Sequence, residues 1–192
     1  MGLTAFSQRD PRWADIRLGL SGQETIGLAG CLMTCVASLV RDIAGLDTDP
    51  GRLNRWLARN GGYLDGNLFV FASVAKLGLK LKDVVPCMQT AAPVGRITET
   101  LAAGGGVLVK VDFDPGGAIQ QHWVRVLELK ADDAVVMDPW LPPGNEVYWL
   151  MPRYAIPAWP DPATAILHIA LYERGNTPEA DATQVRLSIR GW

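Results

Sequence analysis

TIGLAGCLMTCVASLV, residues 25–40, opens like a loop and closes like a buried helix, with a cysteine at the junction. From Leu32 to Ile43 nearly every position is apolar, and Thr34, Ser38 and Asp42 form the one polar stripe at i, i+4, i+8. Gly45 follows as a C-cap. The spacing predicts a helix buried on most sides. A helix start leaves backbone N–H groups unpaired and favours negative charge, so a thiolate at Cys31 would be stabilised there. Gly27 and Gly30 permit a tight entry and a close backbone approach by a substrate, and the N–H of Cys31 could donate to a developing oxyanion. The competing reading is structural: free cysteine is among the most buried residue types, and taken alone Cys31 reads as packing.

Working outward, Asp49 as N-cap, Pro50 at the first helical position, Leu53, Trp56 and Leu57 on one face and the NGG stop at 60–62 predict a second helix. A third is expected over about 66–77, ended by Gly78, and a short fourth over about 95–103, closed by three glycines. After that glycine run the pattern changes. GVLVKVDF, HWVRVLEL, AVVMD, NEVYWLM and ATAILHIALYE are short segments rich in β-branched and aromatic residues, separated by turns such as DPGG and KADD. Helices first and strands later, joined by short turns, make the fold class α+β with a largely antiparallel sheet. Residues 1–175 are expected to form one domain and 176–192 a C-terminal connection, in which TQVRLSIR alternates like an edge strand or a partner contact.

The chain has 192 residues, 48% of them hydrophobic and 20% charged, enough for one sizeable core. With 18 basic and 20 acidic residues and no basic run, it lacks the footprint that phosphate neutralisation requires, so no nucleic-acid partner is expected. MGLTAFSQRDPRW carries charge early and has no apolar signal region, and no apolar stretch is long enough to span a bilayer; the expected compartment is the cytoplasm, with export by a non-standard route the alternative. Three cysteines form an odd, sparse set that fits a reducing environment, and two distant histidines assemble no zinc spacing. No metal or other cofactor is expected, and no feature specifies an oligomeric state.

A thiolate nucleophile needs an imidazole oriented by a third polar group. His122 opens the strand HWVRVLEL after a turn-rich segment, where side chains reach a cleft, whereas His168 lies inside AILHIAL and reads as structural. Asp138 ends AVVMDPW, the next strand. A hairpin turn centred near Ala131 puts residues 122 and 138 on one face, and a one-residue slip would separate them. The alternative for DPW is an ordinary Asp-Pro turn.

FSQRDPRWAD, TIGLAGCLMTCVASL, QHWVRVLEL and VVMDPW, in this order, resemble the papain-like cysteine peptidases related to bacteriocin-processing double-glycine peptidases (peptidase C39-like), in their free-standing branch. The resemblance covers roughly residues 6–140. It implies a papain-like fold, with a central buried helix carrying the cysteine packed on a C-terminal antiparallel sheet. It further implies Cys31 as nucleophile, His122 as general base and acid, and Asp138 as the residue that orients His122. Gln8 matches the glutamine that completes the oxyanion hole, with Gln23 its rival. Leu32 follows Cys31 where that family usually has glycine, and no membrane or nucleotide-binding segment accompanies the domain, so cleavage of leaders after paired glycines is not implied. Trp123 and Trp140, beside the histidine and aspartate, either wall the site together with Gly30 or fill the core. Cys35 and Cys87 read as packing. The expected activity is thiol-dependent hydrolysis of a peptide or isopeptide bond in a peptide or protein substrate. A catalytically silent binding or assembly module, or an acyltransferase using the same thioester, are the alternatives.

Overall fold

The computed structural model describes residues 3–114 and 117–176. A short helix α1 (Ile26–Ala29) runs into α2 (Cys31–Leu39) with only Gly30 between them, and a π-helical turn over Val40–Ala44 carries the chain to Gly45. A Cβ on Gly30 would stand 2.5 Å from the Ile26 carbonyl oxygen, so this break between helices requires glycine. Met33 to Leu39 are buried without exception, while Cys31 at the start is half-buried. Helix α3 (Pro50–Arg59) begins as its sequence predicts: the Asp49 side chain accepts the Arg52 N–H at 2.8 Å and Pro50 occupies the first turn.

The third expected helix is shorter and tighter than its pattern suggests. Strands β1 (Tyr63–Leu64) and β2 (Leu68–Phe69) form a small hairpin, and a 3-10 helix covers Phe71–Leu77 before Gly78. The turn at Asp65 and Gly66, both at positive φ (46° and 89°), reverses the chain where a helix would have continued it. Next comes β3 (Leu79–Pro86), a strand that the helices-first reading missed because Lys80 and Lys82 make it look polar. Such lysines are typical of an edge strand. Helix α4 (Val94–Ala102) matches the expected fourth helix.

The remaining elements are β4 (Gly106–Asp112), β5 (Gln121–Leu129), β6 (Ala134–Met137), β7 (Val147–Trp149), the one-turn helices α5 (Met151–Tyr154) and α6 (Pro162–Ala165), and β8 (His168–Arg174). One six-stranded sheet results, in the order β3-β8-β4-β5-β6-β7, with every neighbouring pair antiparallel. The mixed α+β class is as expected. The tail segment TQVRLSIR lies outside the described residues.

Both faces of the sheet are covered. On one, Cys35, Val36 and Leu39 of α2 pack with Leu108, Trp123 and Tyr172; on the other, Ile97 of α4 packs with Val107, Val124 and Ile169. A Cβ on Gly106 would meet the Leu39 side chain at 2.5 Å, so the bare backbone at the start of β4 lets α2 settle on the sheet. The polar stripe of this helix faces inward. Arg125 of β5 donates to the Asp42 carboxylate at 2.6 Å and to the Ser38 hydroxyl, Ser38 donates to the Thr4 carbonyl, and Asp42 accepts the Thr4 N–H. This network ties the N-terminal segment to α2. With side chains 10% and 13% exposed, Arg125 and Asp42 cannot lose one partner cheaply. Asp42→Ala is expected to lower stability by about 3–5 kcal/mol by stranding the guanidinium. Adding Arg125→Met should recover much of that loss in thermal denaturation; a double variant no more stable than Asp42→Ala would count against the network.

Candidate active site

The start of α2 meets the start of β5, and there Cys31 and His122 line one cleft, close enough that each shifts the titration of the other. On its other side, His122 Nε2 lies 2.8 Å from Asp138 Oδ1 and donates to it. An ionised carboxylate only accepts, so this bond assigns a proton to Nε2 and leaves Nδ1 uncommitted by it. His122 is 4% exposed and Asp138 fully buried. The structure therefore brings together Cys31, His122 and Asp138, residues 107 positions apart at the extremes.

What joins His122 to Asp138 is an irregularity. Near the turn, Leu129 pairs with Ala134 and Glu128 with Val135; past Leu127 the register shifts, and Val126 pairs with Val136 and Arg125 with Met137. Had the first register continued, Asp138 would have opposed Arg125, on the sheet face away from His122. The bulge puts it opposite Val124, whose side chain shares the face of His122. Its residue count decides whether a carboxylate reaches the imidazole.

Asp138 has a full set of partners. Oδ1 also accepts the Trp140 N–H at 3.0 Å, and Oδ2 accepts the Tyr154 hydroxyl at 2.6 Å and lies 2.8 Å from Arg153 Nε. Arg153 and Tyr154 are contacts that sequence reasoning missed. They sit on a one-turn helix after the last expected hairpin, in MPRY, where nothing in spacing or composition singles them out. Burial pushes the Asp138 carboxyl up, yet the His122 bond and charge, followed by the Tyr154 hydroxyl and the Trp140 N–H, hold it below the usual carboxylate range.

Burial also opposes charge on the other two members, raising the thiol and lowering the imidazole. It is outweighed for Cys31 by the hydrogen bond and charge of His122, with backbone N–H groups of Trp123 and Leu32 adding to them, so the thiol falls below its ordinary 9.0. For His122 the bonds to Asp138 and Cys31, and the charges of both, raise the imidazole to about 9. Both shifts favour the form with thiolate and imidazolium. Imidazolium at His122 contributes its full stability below the ordinary imidazole value of 6.5 and loses it as pH rises through about 9. The thiolate contributes above the ordinary thiol value, and loses its share as pH falls through the lowered one.

Cys31 and His122 open on a cleft of about 300 Å³ lined also by Gln8, Leu28, Phe113, Gln121 and Trp140. Gln8 arrives there because its own N–H donates to the Pro139 carbonyl at 2.7 Å, which fixes the N-terminal segment to the residue after Asp138. The Trp13 indole, donating to the Ser7 carbonyl at 2.8 Å, holds the same turn. Gln8 Nε2 donates one hydrogen to the Gly27 carbonyl at 3.0 Å, and Oε1 is buried with no partner among the described residues. Gln23 is exposed and outside the cleft lining. Trp140 stands edge to face with Phe113 at 5.1 Å, and the Arg9 guanidinium lies 5.0 Å over its ring.

Two residues expected as substrate contacts lie elsewhere. Trp123 follows His122 on a strand, so it points to the opposite face, where it packs at 5.6 Å from Phe71 in the core. Gly30 is buried and held against Ile26, outside the lining. A larger cavity of about 500 Å³, bordered by Val94, Leu129, Lys130 and Asp161, is lined by none of the three cysteines. Cys35 is buried, its thiol 3.5 Å from the Trp123 carbonyl and raised well above the ordinary value chiefly by burial; Cys87 is buried and also raised by burial. All three cysteines are free thiols. Among the described residues no cluster of His, Cys, Asp or Glu is arranged to hold a metal, and no helix is long and apolar enough to cross a membrane.

No protein-family profile and no curated protein matches this sequence. Among solved structures, the crystal structure of a provisionally named C39-like peptidase from Bacillus anthracis aligns over 91% of this chain and 96% of that one. The TM-score is 0.49 and the sequence identity 13%.

Proposed function

We propose that this protein is a thiol-dependent hydrolase of peptide or isopeptide bonds with a papain-like arrangement of its site. The observation that carries the reading is one imidazole bonded to a fully buried carboxylate and sharing a cleft with a half-buried thiol whose titration it lowers. In this mechanism the Cys31 thiolate attacks the carbonyl carbon, and the electron pair moves onto the carbonyl oxygen. The uncommitted Gln8 amide hydrogen and the N–H of Cys31, in the first turn of α2, are suited to receive that oxyanion. The C–N bond then breaks as the His122 imidazolium passes its Nδ1 proton to the leaving amine, which leaves a Cys31 thioester. Water, deprotonated by the now neutral imidazole, attacks the thioester. The acid leaves and the thiolate–imidazolium pair is restored. Phe113 and Trp140 shield the imidazole side of the cleft from bulk water and offer apolar surface to a side chain of the substrate.

Alkylation by iodoacetamide tests the premise without a known substrate. Cys31 is expected to react at pH 6.5 at least about 100-fold faster than Cys87, since its thiol lies below the ordinary value and that of Cys87 above it. His122→Ala should remove most of that advantage and move the half-maximal rate of Cys31 to higher pH. Equal labelling of the two thiols, or a Cys31 rate indifferent to His122, would sink the reading.

A further inference from the structure

A carboxylate has about four acceptor positions, and in Asp138 all four are used: His122 and the Trp140 N–H on Oδ1, Tyr154 and Arg153 on Oδ2. The two Oδ2 partners come from α5, which is itself fixed to the far end of the strand that delivers Asp138. Asp133 accepts the N–H groups of Ala134 and Met151, the Leu150 N–H donates to the Ala134 carbonyl, and Leu150 is fully buried. Tyr154 is 1% exposed, and the Arg153 guanidinium lies 5.3 Å over its ring, with Nε on Oδ2. Helix and strand thus hold the carboxylate as one unit.

We infer that Arg153 and Tyr154 are positioning residues that clamp Oδ2 of Asp138, so that Oδ1 alone addresses His122 and the carboxylate charge is shared between two cations. Neither residue lines the cleft, and the pair acts on the imidazole through Asp138. The clamp stops the carboxylate from rotating, which keeps the Nε2 proton in place and Nδ1 toward Cys31. The Arg153 charge also opposes the imidazolium across one carboxylate, and so limits how tightly His122 holds its proton. A general acid held too tightly would not release its proton to a leaving amine. The titratable groups facing His122 are Cys31 from α2 and Asp138 from the end of β6, and behind Asp138 stand Arg153 and the Tyr154 hydroxyl from α5. The rings of Phe113 and Tyr154 close the remaining sides at 5.3 and 6.0 Å.

The inference rests on the thiolate–imidazolium pair proposed above, and its test reads the imidazole directly. The chain has two histidines, and burial together with nearby Lys110 holds His168 below the ordinary imidazole value, so the two proton NMR titrations fall far apart. In the wild type the His122 ring is expected to titrate near 9. Arg153→Gln should move that midpoint up by about half a unit to one unit, because a like charge is removed. Arg153→Lys, which keeps the charge, should stay within about 0.3 of a unit of the wild type. Tyr154→Phe, with one donor fewer on Oδ2, should give a smaller upward shift. It serves in place of Arg153→Gln if that variant does not fold. A merely structural role would change the melting temperature and leave the midpoint alone. Unmoved midpoints in folded Arg153→Gln and Tyr154→Phe, against a wild-type value near 9, overturn the clamp and spare the ion pair. A wild-type midpoint at the ordinary imidazole value overturns both.

Discussion

Cys31→Ala is expected to reduce peptide hydrolysis by at least about 10⁴-fold, the range found when a covalent nucleophile is deleted and only binding and oxyanion stabilisation remain. The size follows from the chemistry assigned to the sulfur, which is the one group here that both faces the cleft and carries a depressed thiol pKa. Cys31→Ser should fall nearly as far, because a hydroxyl in the same place remains protonated where the thiol ionises. Neither change should unfold the protein: Cys31 is half-buried at a helix start, and the packing of α2 rests on Met33 to Leu39. One side effect has a definite sign. Removing the thiolate takes away part of what raises His122, so the imidazole should titrate below the wild-type value, and the stability that its protonation supplies should be lost at lower pH. The measurement is hydrolysis of a mixed peptide library read by mass spectrometry, with thermal denaturation as the folding control. Hydrolysis that survives in Cys31→Ala would show that the activity belongs to another site.

The second large effect is expected at Asp138, and it separates stability from catalysis. Asp138→Ala strips the partner from a buried imidazole, a guanidinium, a hydroxyl and a backbone N–H at once, at a position with 0% exposure. A loss of at least about 3 kcal/mol is expected, as for other broken buried charge networks. In a protein of this length it corresponds to a drop of roughly 6–12 °C in melting temperature. Asp138→Asn keeps the shape but turns one acceptor into a donor. Whichever way the amide sits, it opposes either the Nε2 proton of His122 or the donors on Oδ2. The imidazole then favours the other tautomer, and hydrolysis should fall by up to about 10⁴-fold with a smaller loss of stability. The wild-type carboxyl, held below its ordinary value, contributes stability above that value and gives it up as pH falls through the lowered one, so Asp138→Asn should flatten the acid side of the stability profile. Unchanged hydrolysis in a folded Asp138→Asn would remove Asp138 from the mechanism.

Local chemistry was legible from the residues alone. The cap at Asp49, the buried run that became α2 and the short strands after the glycine run are set by interactions within a few positions, whereas the helical turn α1 stands where the sequence reads as a loop. A cysteine at a helix start and a histidine at a strand start are likewise local features, although Cys31 taken alone reads as packing and gains its candidacy only from distant residues. The small hairpin over 63–69 was missed because one turn outweighed a helical pattern, and β3 because its lysines mask an edge strand.

Only the tertiary structure decided which of these candidates meet. Asp138 faces His122 because one extra residue near Leu127 shifts the register, and side-chain parity amplifies a shift of one into a change of sheet face. The same parity turns Trp123 into the core, while Trp140, beyond the end of β6, remains at the cleft. Gln8 rather than the nearer Gln23 lines the cleft because a backbone bond spans from residue 8 to residue 139. Arg153 and Tyr154 reach Asp138 from a helix of four residues with no pattern of its own. Propensity and capping act over a turn or two and are written in the order of residues, whereas register, face and long-range hydrogen bonds depend on how separate segments are placed, and are fixed only when the sheet closes around its core.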